Sequence, residues 1–211
     1  MIRFLFFLIV VSSLFTQAQD KETTPTSEEE RRVNVSDFIS IKIYSGIEVK
    51  LIPANENKLV ISGADKNDVV VKTKGQTLKI RHSLDHFLNP TFTYVELYHK
   101  NTLDEINLYQ GSVLETDSVY QQTSISIKVQ EGSSMKFKFD GEKLTSSVNT
   151  GGKLFLSGHA TNHESSVSSG GACEGETFET EQTEVSVTAG GISYVNANYL
   201  LEAKVTAGGN Y

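Results

Sequence analysis

The sequence predicts an all-β chain: a β-solenoid of about 18–21 residues per coil, preceded by antiparallel β-hairpins. Three observations predict it. Glycines fall at 111, 132, 151, 170, 190 and 208, at spacings of 21, 19, 19, 20 and 18. Between residue 33 and about residue 100, apolar and polar side chains alternate. No stretch holds the spacing of an amphipathic helix.

Residues 1–18 read as a secretory signal peptide. Arg3 gives a short positive start, residues 4–11 are an unbroken apolar run, and Thr16-Gln17-Ala18 places small residues around a cut after Ala18. The run is shorter than the roughly 20 apolar residues that span a bilayer, so it is not expected to anchor the chain. No cysteine lies near the cut, so a lipoprotein is not expected, and no later stretch is long and apolar enough to span a membrane in the mature chain. Residues 19–32, QDKETTPTSEEERR, offer nothing apolar to bury and read as a flexible polar leader.

The β domain is expected over residues 33–211. In its first part, residues 33–100, Ile39, Ile41 and Ile43 alternate with Ser40, Lys42 and Tyr44; after Ser45-Gly46, Ile47, Val49 and Leu51 alternate with Glu48 and Lys50. Leu59 and Ile61, Val69 and Val71, then Leu78 and Ile80 continue the pattern. Period two sets one row of side chains on a buried face and the other in water. Gly46, Asn55-Glu56-Asn57 and Lys74-Gly75-Gln76 mark the turns. This part reads as antiparallel strands and hairpins, with residues 82–90 as a loop.

Residues 101–211 repeat. The third residue before each periodic glycine is apolar: Leu108, Val129, Val148, Val167, Val187 and Val205. The last four glycines are doubled, as Gly151-Gly152, Gly170-Gly171, Gly190-Gly191 and Gly208-Gly209. A period near 20 marks stacked units. Stacked at about 4.8 Å, like residues form an internal ladder, with glycines at the corners. Of the 16 glycines, 12 lie at or after Gly132, and no proline follows Pro90, which suits tight corners beside continuously paired strands.

This arrangement resembles a known family, the putative autotransporter-adhesin head domain or head GIN domain of secreted and envelope proteins from Bacteroidetes-type bacteria. The residues that carry the resemblance are Phe38-Ile39-Ser40-Ile41 with Ser45-Gly46-Ile47-Glu48-Val49, then Leu78-Lys79-Ile80, then the four Gly-Gly corners. It covers nearly all of the chain from about residue 37. The resemblance implies a right-handed single-stranded β-helix with a β-rich N-terminal part, and an adhesin-like role, and it brings no catalytic or ligand residues. The family usually continues past its last Gly-Gly with a Tyr-x-Gly-x-Pro-like strand. This chain stops at Gly208-Gly209-Asn210-Tyr211, so an incomplete last coil is expected.

The chemistry in the chain is sparse. A net charge of −7, becoming −8 once Arg3 is removed, argues against nucleic-acid binding. The single cysteine closes no intrachain disulfide. A carbohydrate-active β-helix lyase or glycosidase needs paired carboxylates, or a metal with a strong base, yet no Arg follows Arg81 and no Asp follows Asp140. Glu174, Glu176, Glu179, Glu181 and Glu184 read as an outward acidic stripe, either a solvated face or a cation or glycan site. His82 and His86, and His159 and His163, are spaced by four, but no helix aims the rings together; exposed loop histidines are expected rather than a zinc site. Cys173 follows Gly170 as Leu154 follows Gly151, which places it in an apolar column rather than as a nucleophile. No phosphate loop, dinucleotide fingerprint or nucleophile elbow is present, and no catalytic, metal or cofactor residue is assigned.

The sequence therefore points to a non-catalytic secreted or envelope module that contacts a surface glycan or a protein. Two alternatives stay open: a carbohydrate-active β-helix enzyme, and a structural protein assembling end to end. Weak self-association through the C-terminal edge is expected, because an uncapped coil exposes unpaired strand groups.

Overall fold

A computed structural model describes residues 30–83 and 92–210. The signal peptide, most of the polar leader, His86 and Tyr211 lie outside the described residues. Among those described there is no helix. The strands are β1 (Arg31–Asn34), β2 (Ser40–Ile43), β3 (Glu48–Pro53), β4 (Lys58–Gly63), β5 (Val69–Lys74), β6 (Thr77–His82), β7 (Thr93–His99), β8 (Glu105–Leu108), β9 (Val113–Thr116), β10 (Tyr120–Val129), β11 (Ser134–Val148), β12 (Lys153–Val167), β13 (Ala172–Val187) and β14 (Ile192–Val205). They join one sheet, whose stacked parallel coils form a β-solenoid of about 5 turns.

Each coil has two arms joined by a tight corner. β2, β8 and the ends of β10 to β14 stack in parallel as the first arm; β3, β9 and the starts of β11 to β14 stack as the second. The inward residues line up in register. On the first arm Ile80, Ile43, Leu108, Val129, Val148, Val167, Val187 and Val205 form one column. On the second, Val95, Val49, Leu114, Met135, Leu154, Cys173 and Ser193 form another. The core lies between the arms, filled out by Phe137, Phe139 and Phe178, each at most 1% exposed. Period-two alternation is what allows this: one arm buries every second residue, and register shifts between the arms, as at Phe155/Ser157, absorb the differences in coil length so that like residues still stack.

The corners explain the periodic glycines. At Asn149-Thr150-Gly151-Gly152, Thr150 and Gly151 have φ of +50° and +72°, and the Gly152 amide donates to Asn149 O at 3.0 Å. Two successive positive-φ residues are the signature of the tight mirror-image turns that reverse a strand. A non-glycine residue takes the first place of every pair, from Ser45 through Gln110, Glu131, Thr150, Ser169 and Ala189 to Ala207; glycine takes the second. The strain of the first residue is held by bonds between corners: the Gly151 amide donates to Ser169 O at 3.1 Å, and the Gly132 amide to Thr150 O at 3.0 Å. The second glycine of a pair has a different reason. A Cβ on Gly152 would stand 2.3 Å from Val129 O of the preceding coil.

Antiparallel strands are present at the start, as the alternation implies: β5 and β6 form a hairpin, β4 pairs with β7, and β1 pairs with β4. Two strands of that region differ from the hairpin reading. β2 and β3 are the arms of a full coil, lying in parallel between β6 and β8 and between β7 and β9. Period two is the same for both pairings, so alternation alone does not separate them. The antiparallel strands cover the N-terminal end of both arms and cap the stack. β1 also takes in Arg31 and Arg32 from the expected leader. The Arg31 guanidinium donates to Lys66 O at 3.0 Å and Val69 O at 2.7 Å, which holds that end in place.

Candidate functional site

Cys173 and His163 face the dry interior. Cys173 is 0% exposed, and burial pushes its thiol up to about 12, so no thiolate forms at neutral pH. His163 sits opposite Leu144 and Thr183 on the first arm. Its Nε2 lies 2.9 Å from Ser146 Oγ, which donates to Ser165 Oγ at 3.1 Å. Its ring stands edge-on to Phe178 with centroids 5.4 Å apart, and burial pushes its pKa down to about 4. A neutral imidazole beside two hydroxyls resembles a nucleophilic constellation, but all three residues are buried. This is a satisfied polar seam in the core rather than a site open to substrate.

Two histidines expected in exposed loops are buried in strands instead. His82 and His163 are buried, at 2% and 3% exposure, and they lie on strands β6 and β12 rather than on loops. His159 does face solvent, with Nδ1 3.8 Å from Asp140 Oδ1. The two histidines of β12 point apart because alternation breaks at the bend between the arms, where Ala160 and His163 are both buried. Among the described residues no group of three His, Cys, Asp or Glu side chains gathers as a metal site.

What reaches solvent is the outer face of each arm. On the second arm, Glu96, Lys50, Glu115, Lys136, Phe155, Glu174 and Tyr194 stack in one outward column. Its first part is a charge ladder. Lys136 Nζ meets Glu115 Oε1 at 2.5 Å, and Lys50 reaches across to Asp117 at 2.5 Å. The hydrogen bond from Lys50 holds the Asp117 carboxyl below the usual carboxylate range. At Phe155 the ladder turns apolar: this ring is 39% exposed and lies at a shallow groove of about 380 Å³ with Lys136, Lys138, Glu174, Glu176 and Thr177 along its sides.

On the first arm, Thr145, Glu164, Glu184 and Glu202 form one outward column, and Ser147, Ser166, Ser186 and Lys204 the next. Lys143 Nζ neutralises Glu164 at 2.6 Å. The acidic residues Glu174, Glu176, Glu179, Glu181 and Glu184 are partly or fully exposed, but they run around a single coil from the second arm to the first. The true acidic column crosses the coils. Its offsets of 20 and 18 follow the glycine period and were available in the sequence. The same period, with offsets of 19 and 19, sets Phe155 between Lys136 and Glu174, but the groove beside the ring is not legible in the sequence.

The chain matches the family model described as putative auto-transporter adhesin, head GIN domain, over residues 37–211. No protein of curated function matches it in sequence. Among solved structures it is similar to a putative adhesin from Bacteroides fragilis, with 14% identity, 86% of this chain and 94% of that chain covered, and a TM-score of 0.69. It is also similar to a putative adhesin from Parabacteroides distasonis, with 15% identity, 86% and 94% covered and a TM-score of 0.64. A putative lipid binding protein from Parabacteroides distasonis shares the fold at 13% identity, 87% and 96% covered, with a TM-score of 0.58.

Proposed function

We propose that this chain, which belongs to the family of putative auto-transporter adhesin head GIN domains, is an exported, non-catalytic surface-contact module. The supporting observation is the Phe155 groove. An exposed ring gives the apolar face of a sugar a platform, and Lys136, Lys138, Glu174 and Glu176 offer donors and acceptors for its hydroxyls. Stacked coils repeat at about 4.8 Å, so the face extends along one direction and suits an extended glycan chain. The groove is shallow, which fits contact better than the enclosure that catalysis requires.

Two features support the absence of catalysis. Cys173, His163, Ser146 and Ser165 are buried, each at most 6% exposed, and the groove carboxylates of Glu174 and Glu176 belong to a solvated face. The apolar run in residues 4–11 supports export; N-terminal sequencing of the exported form is expected to start at Gln19. A glycan array probed with the mature protein, with and without calcium, tests the binding role. Binding without bond cleavage that falls at least about tenfold in Phe155→Ala is the expected result. Turnover of a glycan would overturn it, and capture of proteins alone would move the role to protein contact.

A further inference from the structure

Among the described residues, five of the eight large apolar side chains left exposed to solvent lie on the last strand. Ile192, Tyr194, Tyr199, Leu200 and Leu201 of β14 are all among the exposed large hydrophobics, with Tyr199 at 83%. β14 pairs with β13 on one side. On its other side, among the described residues, only Asn210 bridges to it, at Ile192 on the second arm. Among the described residues, no strand pairs with the other side of residues 200–205 of β14, where the inner columns reach Leu201, Ala203 and Val205 and the Glu column reaches Glu202.

The sequence of that edge is self-complementary. It reads Leu201-Glu202-Ala203-Lys204-Val205. Paired antiparallel with a second copy about Ala203, Leu201 faces Val205 of the second copy, Ala203 faces itself, and Glu202 faces Lys204, twice over. Alternation puts Leu201, Ala203 and Val205 on the inner side and Glu202 and Lys204 on the outer. The apolar pairs would then close the two open cores against each other. The charged pairs would form on the solvent side, each worth a modest cross-strand attraction. The charge match also answers an imbalance within the chain. Glu184 and Glu202 are adjacent rungs of like charge, and Lys143 is bonded to Glu164, one rung further in. A lysine from the second copy would sit beside Glu202.

We infer that β14 is a homodimer edge: two copies join end to end by antiparallel pairing of residues 201–205 about Ala203, a two-fold isologous contact. The contact is one strand wide, so the dimer is weak and concentration-dependent. It requires nothing of the Phe155 face, and failure of glycan binding leaves it unaffected.

Charge exchange tests the register. Sedimentation across a wide concentration range is expected to show a monomer–dimer equilibrium for the mature chain. Glu202→Lys and Lys204→Glu, each placing like charges opposite one another, should each raise the dissociation constant by at least about tenfold. The double exchange should restore it, and an equimolar mixture of the two single variants should form the mixed dimer. Ala203→Cys should cross-link into a covalent dimer under mild oxidation, because directly opposed Cβ atoms lie within disulfide reach, while Ser166→Cys on the outer face should not. The native Cys173 is buried and does not compete. Melting curves matching the parent confirm that the variants fold. A monomer at every concentration overturns the proposal. A dimer indifferent to the exchanges, or cross-linked equally through Ser166→Cys, overturns the β14 register.

Discussion

Replacing Val167 by Asp tests the ladder at a fully buried point. Val167 is 0% exposed and is stacked between Val148 and Val187. Losing the buried isopropyl group forfeits about 2 kcal/mol of transfer free energy. The new carboxyl has apolar neighbours above and below in its column, and an unsatisfied buried polar group costs about 1–3 kcal/mol more. The sum is about 4 kcal/mol, a large part of the roughly 5–15 kcal/mol that holds a domain. For a chain of this size that corresponds to a fall in Tm of about 10 °C. The penalty has its own pH signature. A dry carboxyl has its pKa raised above the unfolded value near 3.9, so the unfolded state releases its proton first and the loss grows as pH rises from about 4. Ser166→Asp, one residue earlier, lies on the exposed side between Ser147 and Ser186 and should stay within about 0.5 kcal/mol of the parent. Thermal melts of both variants at pH 4 and pH 7 give the answer. Equal melting would refute the inward placement of residue 167 and the coil register with it.

Other outcomes follow from the same structure. His163 is held neutral, with a pKa of about 4 against 6.5 unfolded; the unfolded chain takes up a proton first, so stability should fall by about 3 kcal/mol as pH drops from about 6.5 to 4. His99, lowered by burial, acts in the same direction. His163→Gln should flatten that slope in pH-dependent melts, and an unchanged slope would assign the titration elsewhere. Gly151→Ala meets open space and pays mainly for φ of +72°, about 1 kcal/mol, whereas Gly152→Ala drives a Cβ into a backbone carbonyl and should cost about 3 kcal/mol; chemical denaturation separates the two, and the reverse order would contradict the corner geometry. Cys173 should resist a thiol reagent in the folded protein and react fully in denaturant; fast labelling of the native form would mean that the core opens there.

The sequence by itself determined the coil. Its period appears in Gly111, Gly132, Gly151, Gly170, Gly190 and Gly208 because every corner needs a residue that accepts positive φ, and a requirement repeated in space repeats in sequence. The valines three residues earlier are equally legible, since a column between stacked rungs admits little but a compact apolar side chain. Pairing direction was not legible. β2 and β3 alternate like the hairpin strands beside them, and only their neighbours in space, β6 and β8 or β7 and β9, make them parallel arms of a coil. Nor was the fate of the histidines: alternation fails at the bend between arms, so whether His159 or His163 turns inward depends on where the chain bends. The Phe155 groove and the β14 edge are further from sequence still. The period sets Lys136, Phe155 and Glu174 in one column, but the groove beside them and, among the described residues, the unpaired side of β14 exist only once the coils are stacked.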